Sequence, residues 1–274
     1  MEATGLIWID GDLVAADAAS VSVLDHGLVV GDGAFETLVI IDGTAFAATR
    51  HIRRLHTTLA ALAVDPPSEQ VVRQAMEQVI AANGVDRGRL RLTVTAGLGP
   101  LGSGSATGPT SVIAATTPLG GAPVPAVVTA PWTRNESGAL AGLKTTSYAE
   151  NVRALRWAKE RGASEAIFAN TKGELCEGTG TNIFVVVDGQ VQTPPLRSGC
   201  LAGVTRELVL EVANVAEVDL PIDVLRTADE VFLTSTTRDV QGLTSVDDRT
   251  LEVGPLTRSV ADAFADLVAR TLDP

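Results

Sequence analysis

The sequence is poor in the residue types that most often mark disulfide frameworks, metal sites and nucleic acid surfaces. Its 274 residues include two cysteines and three histidines, which are too few for a disulfide framework and form no zinc-binding pattern. The formal net charge of −12 disfavours contact with phosphate backbones. No apolar run reaches about 18 residues, and the N-terminus lacks the basic start of a signal peptide. These absences predict a cytoplasmic protein with no metal, nucleic acid or membrane partner.

The chain does contain enough apolar sequence for a large core, with 45% hydrophobic residues. Asp-Gly pairs between apolar runs predict hairpins at Asp10-Gly11, Asp42-Gly43 and Asp188-Gly189. Ser68 precedes an apolar pattern of helical period and Gly84 follows it, which predicts a helix between them. The alternation of such hairpins and helices indicates an α+β fold.

Domain boundaries are indicated by composition. Residues 120–125 are rich in glycine and proline, as is typical of a linker. They separate a predicted smaller α+β domain, residues 1–119, from a larger domain, residues 126–274. A second irregular segment, residues 98–109, is too rich in Gly, Ser and Pro to form a regular element and is a candidate functional loop.

Lysine is scarce, and one of the three lysines has unusual neighbours. Lys159 lies beside charged residues on a predicted helix, and Lys172 lies at a predicted hairpin tip, so both are expected in solvent. Lys144 follows Gly-Leu and precedes Thr-Thr-Ser. A lysine in such uncharged surroundings can be partly desolvated, which frees its amine as a nucleophile for carbonyl or pyridoxal chemistry. The alternative, a loop lysine whose tip reaches solvent, stays open at this point.

A pyridoxal phosphate enzyme also needs an acid that faces the pyridine nitrogen and several donors for the phosphate. Glu177 precedes a Gly-Thr-Gly turn and supplies a candidate acid, although it could simply cap that turn. Helix starts and strand ends provide anion donors, because their backbone N–H groups are unpaired. Candidate donors are Gly203, Thr205, Ser235, Thr236, Thr237, Arg50, Arg53 and Arg54.

Six motifs in order resemble the class IV, or fold-type IV, pyridoxal phosphate enzymes. They are "GDGAFETL", "RHIRRL", "GLKTTSYAENV", "ELCEGTGTNIF", "LAGVTRELVL" and "LTSTTRDV". This family includes branched-chain and D-amino-acid aminotransferases, (R)-selective amine transaminases and aminodeoxychorismate lyases. The resemblance implies a two-domain fold like that of D-amino-acid aminotransferase, with the cofactor at the domain interface. It also implies a homodimer, in which residues 98–109 are a candidate for the loop that completes the partner's site.

The resemblance assigns cofactor roles to individual positions. It implies that Lys144 is the catalytic residue that forms the Schiff base and that Glu177 faces the pyridine nitrogen. Tyr148 is expected at the phenolic oxygen, and Arg54 at the phosphate. The full set of implied cofactor-binding residues is Arg54, Lys144, Tyr148, Glu177, Val204, Thr205, Ser235 and Thr236.

The substrate side departs from part of the family. D-amino-acid aminotransferases and the lyases commonly carry an arginine where this chain has Ala96, and a methyl group cannot bind a carboxylate. Arg91, Arg134 or Arg238 could supply the missing charge; Arg238 is equally compatible with a position in solvent. The Phe35-Glu36 pair is expected near the substrate. The candidate substrate-binding residues are Val30, Phe35, Arg91, Thr237 and Arg238.

The function that the sequence predicts is transamination between an amine or amino acid and a keto acid, with pyridoxal 5'-phosphate as cofactor. The alternative within the family is 4-amino-4-deoxychorismate lyase, which releases pyruvate and p-aminobenzoate and needs no keto-acid acceptor. A catalytically silent binding module of the same fold is disfavoured because Lys144 is present. The sequence leaves the donor, the acceptor and the stereochemical preference open.

Overall fold

The computed structural model describes residues 5–274. The prediction that the N-terminus carries no signal peptide includes residues 1–4, and these lie outside the described residues. The helices are α1 (His26–Val29), α2 (Ala48–Ala61), α3 (Glu69–Asn83), α4 (Ala149–Lys159), α5 (Val204–Val212) and α6 (Pro255–Arg270). The strands are β1 (Leu6–Ile9), β2 (Asp12–Ala15), β3 (Gly33–Ile41), β4 (Thr44–Ala45), β5 (Gly88–Thr95), β6 (Ser111–Thr117), β7 (Ala126–Arg134), β8 (Glu165–Asn170), β9 (Leu175–Gly178), β10 (Asn182–Val187), β11 (Gln190–Thr193), β12 (Val215–Glu217), β13 (Glu230–Ser235), β14 (Asp239–Gly242), β15 (Ser245–Val246) and β16 (Arg249–Thr250).

The chain divides into two compact units. The first runs to Gly120 and also includes Leu143–Tyr148 and Leu272–Pro274. The second comprises Gly121–Gly142 and Ala149–Thr271. The prediction instead assigned all residues after 125 to the larger domain. Leu143–Tyr148 groups with the first unit because its backbone bonds to β3, as described below.

The first unit is an antiparallel sheet of six strands in the order β2-β1-β6-β5-β3-β4. Helices α2 and α3 supply apolar side chains to one core together with this sheet, among them Leu55, Leu59, Val72 and Val79. Helix α3 begins and ends as predicted: the Ser68 hydroxyl accepts from the Val71 N–H, and Gly84 has a left-handed backbone with φ of 58°. The capping residues therefore fix this helix locally.

The Asp-Gly hairpins predicted from the sequence are confirmed. Strands β1 and β2, β3 and β4, and β10 and β11 pair antiparallel across them. Both residues of each pair have positive φ, from 49° at Asp10 to 110° at Gly11. Two consecutive left-handed residues match the twist of the flanking strands, which is why Asp-Gly is favoured there.

The second unit contains two five-stranded sheets, in the orders β12-β11-β10-β13-β14 and β16-β15-β7-β8-β9. They share a core that includes Val127, Ile167, Ile183 and Leu233. Helix α4 covers the outer side of the second sheet, where Ala154 and Ala158 pack with Phe168. Within residues 5–274, no helix is long and apolar enough to cross a membrane.

Candidate active site

The segment that carries Lys144 is bound by its backbone to the start of β3. The Lys144 carbonyl accepts from the Phe35 N–H at 3.0 Å, and the Thr146 N–H donates to the Gly33 carbonyl at 2.9 Å. A Cβ at Gly31 would lie 2.5 Å from the Ser147 hydroxyl, so a larger residue there would push the segment away. The glycine at position 31 therefore permits a close approach of the two backbones.

An aromatic pair lies beside the Lys144 amine. The rings of Phe35 and Tyr148 meet edge to face, with centroids 5.1 Å apart. The Lys144 Nζ lies 4.3 Å from the centroid of Phe35 and 5.7 Å from that of Tyr148. The three residues expected near the reacting atoms are thus neighbours in one unit, and the aromatic rings screen the amine from water on that side.

Arg91 places a second cation against the same ring. Its guanidinium carbon lies 3.4 Å from the Phe35 centroid. Phe35 faces Thr93 across the β3–β5 pair, and Thr37 faces Arg91, so Phe35 and Arg91 are diagonal neighbours on one sheet face. Partial burial lowers the pKa of Arg91 to about 10, which leaves it charged at neutral pH. Among the described residues its polar partner is the Thr93 hydroxyl, at 3.2 Å.

Glu36 points to the opposite face of the sheet because side chains alternate along a strand. It is fully buried and accepts from His51 Nδ1 at 2.6 Å and from Arg54 Nε and Nη2 at 2.8 and 2.6 Å. Burial raises the pKa of Glu36, but Arg54 and then His51 outweigh it, so the pKa lies well below 4.5. Burial lowers the pKa of His51. The expectation that Glu36 lies near the substrate with Phe35 is therefore corrected: Glu36 anchors Arg54.

Glu177 lies on β9 in the second unit. Its Oε2 accepts from the Leu201 N–H at 2.9 Å, and its Oε1 lies 3.3 Å from Arg134 Nε. Arg134 also bonds to Glu150 through Nη1. Arg134 thus pairs with two carboxylates of its own unit, and its role as a substrate-binding cation stays a prediction.

The predicted phosphate donors of the second unit lie at two element ends. Helix α5 begins at Val204 after Gly203, and no side chain caps it. Thr205 follows in its first turn. Strand β13 ends at Ser235, and Thr236 and Thr237 form the turn to β14. The uncapped start of α5 is of the kind that binds anions.

Arg238 forms a buried ion pair with Glu165. Its Nη2 lies 3.1 Å from Glu165 Oε1, and each side chain is 7% exposed. It also donates to the carbonyl of Ser164 and to Gln241. The solvent position of Arg238 is therefore corrected, and its contact with substrate stays a prediction. Glu165 in turn accepts from Thr179 and from the Gly180 N–H, so the pair supports the turn after Glu177.

Sequence reasoning missed the partners that hold the site residues in place. Glu165, His51 and Arg134 belong to this group, and each makes its contact with a residue 15 or more positions away, as in Glu36 with His51. No local pattern marks such pairs.

The chain was compared with known proteins. The family model described as "Amino-transferase class IV" matches residues 33–246. A putative branched-chain-amino-acid aminotransferase of Methanocaldococcus jannaschii is 32% identical, over 95% of this chain and 96% of the relative. A D-alanine aminotransferase of Bacillus licheniformis is 30% identical, over 96% of each.

Solved structures agree with these relatives. The crystal structure of a T.th. branched-chain amino acid aminotransferase with pyridoxamine 5'-phosphate has a TM-score of 0.89 and 27% identity. The alignment covers 97% of this chain and 94% of that one. The predicted fold type is confirmed, and the lyase is not favoured. The chain therefore belongs to the class IV aminotransferases, which are transferases that use pyridoxal phosphate.

Proposed function

We propose that the protein transfers an amino group between an amino acid with an apolar side chain and a keto acid, and that Lys144 is its catalytic residue. One observation carries this proposal. The Lys144 amine and the Arg91 guanidinium lie against the same phenylalanine ring, 4.3 and 3.4 Å from its centroid. A nucleophilic amine and a cation for a carboxylate that lie against one aromatic ring fit the two ends of an α-amino acid.

The residues of the chain fit pyridoxal phosphate. The uncapped start of α5 leaves the N–H groups of Val204 and Thr205 for a phosphate. A Cβ at Gly203 would lie 2.0 Å from the Asn182 amide oxygen, so this close-packed start requires glycine. Ser235 and Thr236 add donors at the end of β13, and the Glu36 carboxylate orients the Arg54 guanidinium toward the same role.

When bound, the cofactor supplies an aldehyde that condenses with amines and a pyridinium ring that withdraws electrons. The Lys144 ε-amine would hold the cofactor through that aldehyde and, when free, would accept and return a proton at the substrate α-carbon. Glu177 would accept a hydrogen bond from the ring nitrogen and favour its protonated form. Tyr148 would donate its phenolic proton to the cofactor's phenolic oxygen.

The side chains near Arg91 favour an apolar substrate. Phe35 is 4% exposed, and Ala96 places a methyl group where some D-amino-acid enzymes carry a cation. Val30 is exposed, and substrate contact by Val30 and by Thr237 stays a prediction. The relatives include enzymes named for branched-chain amino acids and for D-alanine. The missing arginine at position 96 supports the branched-chain class of substrate over D-alanine.

Lys144→Ala tests the first part of the proposal. We expect loss of turnover and of the visible absorbance of protein-bound cofactor, because the covalent bond is absent. Lys159→Ala is the matched control, since Lys159 is exposed on α4. Full activity of Lys144→Ala would end the assignment.

Arg91→Met tests the carboxylate site. Hydrogen bonds to charged groups contribute about 1.5–3 kcal/mol, so KM for amino acids should rise roughly 10- to 100-fold. Donors without a carboxylate, such as 1-phenylethylamine, should react at an unchanged rate. Arg87→Met, an exposed arginine just before β5, is the control. An unchanged KM for amino acids, or an equal loss with both donor types, would exclude this role.

We also propose that two copies of the chain associate through one apolar surface of the first unit. The loop 98–109 packs against the segment around α1, where the Gly99 N–H donates to the Leu24 carbonyl. Four large apolar side chains there are exposed by 48–77%: Val23, Leu28, Leu98 and Leu101. Exposed clusters of this kind mark protein interfaces. Light scattering of Leu101→Asp should show a monomer, whereas an unchanged mass would place the contact elsewhere.

A cytoplasmic location is consistent with the two thiols. Cys176 and Cys200 are both buried and free, which is the usual state in a reducing compartment. Detection of the protein in a periplasmic or secreted fraction of its source cells would contradict this location.

A further inference from the structure

Arg134 contacts the proposed ring-binding acid but belongs to none of the roles assigned so far. It ends β7, and its side chain is 13% exposed. Its guanidinium carbon lies 4.4 Å from the centroid of Phe168, the residue that pairs with Glu177 across β8 and β9. The strand register therefore brings a cation from β7 over β8 to the carboxylate on β9.

The hydrogen bonds of this arginine are incomplete. Nη1 bonds to Glu150 and to Asn151 Oδ1, the latter at 3.3 Å. Nε and Nη2 are buried and have no hydrogen-bond partner among the described residues, although Nε lies 3.3 Å from Glu177 Oε1. Unpaired buried donors cost free energy, so the arrangement is poorly explained by stability. It does place a positive charge beside one oxygen of Glu177.

The other oxygen of Glu177 is fixed by the backbone. Oε2 accepts from the Leu201 N–H at 2.9 Å. The carboxylate thus has one oxygen held by a hydrogen bond and one that faces a cation, and both interactions favour its ionised form. Glu150, whose side chain is 53% exposed, holds the far side of the Arg134 guanidinium.

We propose that Arg134 is a positioning residue that keeps Glu177 ionised, so that the proton shared with the cofactor ring resides on the ring nitrogen. This inference rests on the proposed role of Glu177. A carboxylate and a pyridine nitrogen in contact compete for one proton, and the weaker base gives it up. The Arg134 guanidinium lies next to the Glu177 carboxylate. It therefore lowers the basicity of this carboxylate more than the basicity of the more distant ring nitrogen. The ring then remains a pyridinium, the form that withdraws electrons.

The test uses the holoenzyme loaded with cofactor that carries ¹⁵N in the ring. The ¹⁵N signal reports directly whether the ring nitrogen is protonated. In Arg134→Met at neutral pH we expect the signal to move toward that of the neutral ring, and kcat to fall roughly tenfold, the equivalent of one pKa unit. Arg134→Lys retains the charge and should restore most of the protonated signal. Arg156→Met removes an equal charge from an exposed position on α4 and should leave the signal unchanged.

Two results would separate the possible failures. If Glu177→Gln moves the ¹⁵N signal while Arg134→Met leaves it in place, the inference about Arg134 is wrong and the role of Glu177 stands. If Glu177→Gln itself leaves the signal and the rate unchanged, the role of Glu177 is wrong as well. Should Arg134→Met fold poorly, Arg134→Lys decides: a neutral-ring signal in this cationic variant would overturn the charge argument.

Discussion

Replacement of Glu36 by glutamine isolates the charge of a fully buried carboxylate. Glutamine retains the length of the side chain, but the Arg54 guanidinium, whose side chain is 13% exposed, loses its buried counter-charge. Removal of one partner of a buried ion pair typically costs about 3–5 kcal/mol, because the remaining charge stays in the interior. We expect the free energy of unfolding of the first unit to fall by this amount.

The control for this loss is Glu69→Gln in the same unit. Glu69 pairs with Arg73 one helical turn away, at 2.8 Å, but its side chain is 57% exposed. Exposed pairs of this kind contribute about 0.3–0.5 kcal/mol. Urea unfolding of both variants, followed by circular dichroism without cofactor, gives the two values. Equal costs within about 0.5 kcal/mol would refute the argument that burial gives the Glu36 pair its importance.

The stability difference between wild type and Glu36→Gln depends on pH with a defined sign. The pKa of Glu36 lies well below its ordinary value of 4.5 in the folded protein. The stability that this carboxylate contributes is therefore complete above pH 4.5, declines below it, and is lost as the pH passes the folded-state pKa. The difference between wild type and Glu36→Gln should narrow as the pH falls from 5 toward 3. A difference that widens with acid would contradict the assignment.

Three further changes address other parts of the chain. Gly97→Ala should destabilise the protein by more than about 1 kcal/mol in urea unfolding, because φ is +78° and the new Cβ would lie 1.9 Å from the Pro109 carbonyl oxygen; a neutral result would contradict the geometry. Arg238→Met should cost about 3–5 kcal/mol at pH 8. Burial already raises the pKa of Glu165, so protonation should relieve part of this loss at pH 5, and thermal melting at both pH values checks it. Leu55→Ala removes a fully buried side chain of α2 and should cost about 2–5 kcal/mol by the same melting assay.

The helix caps and hairpins were predictable because their causes lie within a few residues. Ser68 and Gly84 satisfy the ends of α3 with their own side chain and backbone. Asp42-Gly43 adopts two left-handed residues that any hairpin of this length requires. The proposal that Lys144 is the reactive lysine rests on its uncharged neighbours and on six motifs in order.

What the sequence alone determined are the local elements, the family and the cofactor, since each follows from residues close together in the chain or from the order of motifs. Tertiary structure alone decided which charges pair. Glu36 with Arg54, Glu165 with Arg238 and Glu177 with Arg134 join residues 18 to 73 positions apart. Only the register of the strands brings such groups within about 3 Å, and the residues next to an arginine in the chain do not reveal which carboxylate it will meet there.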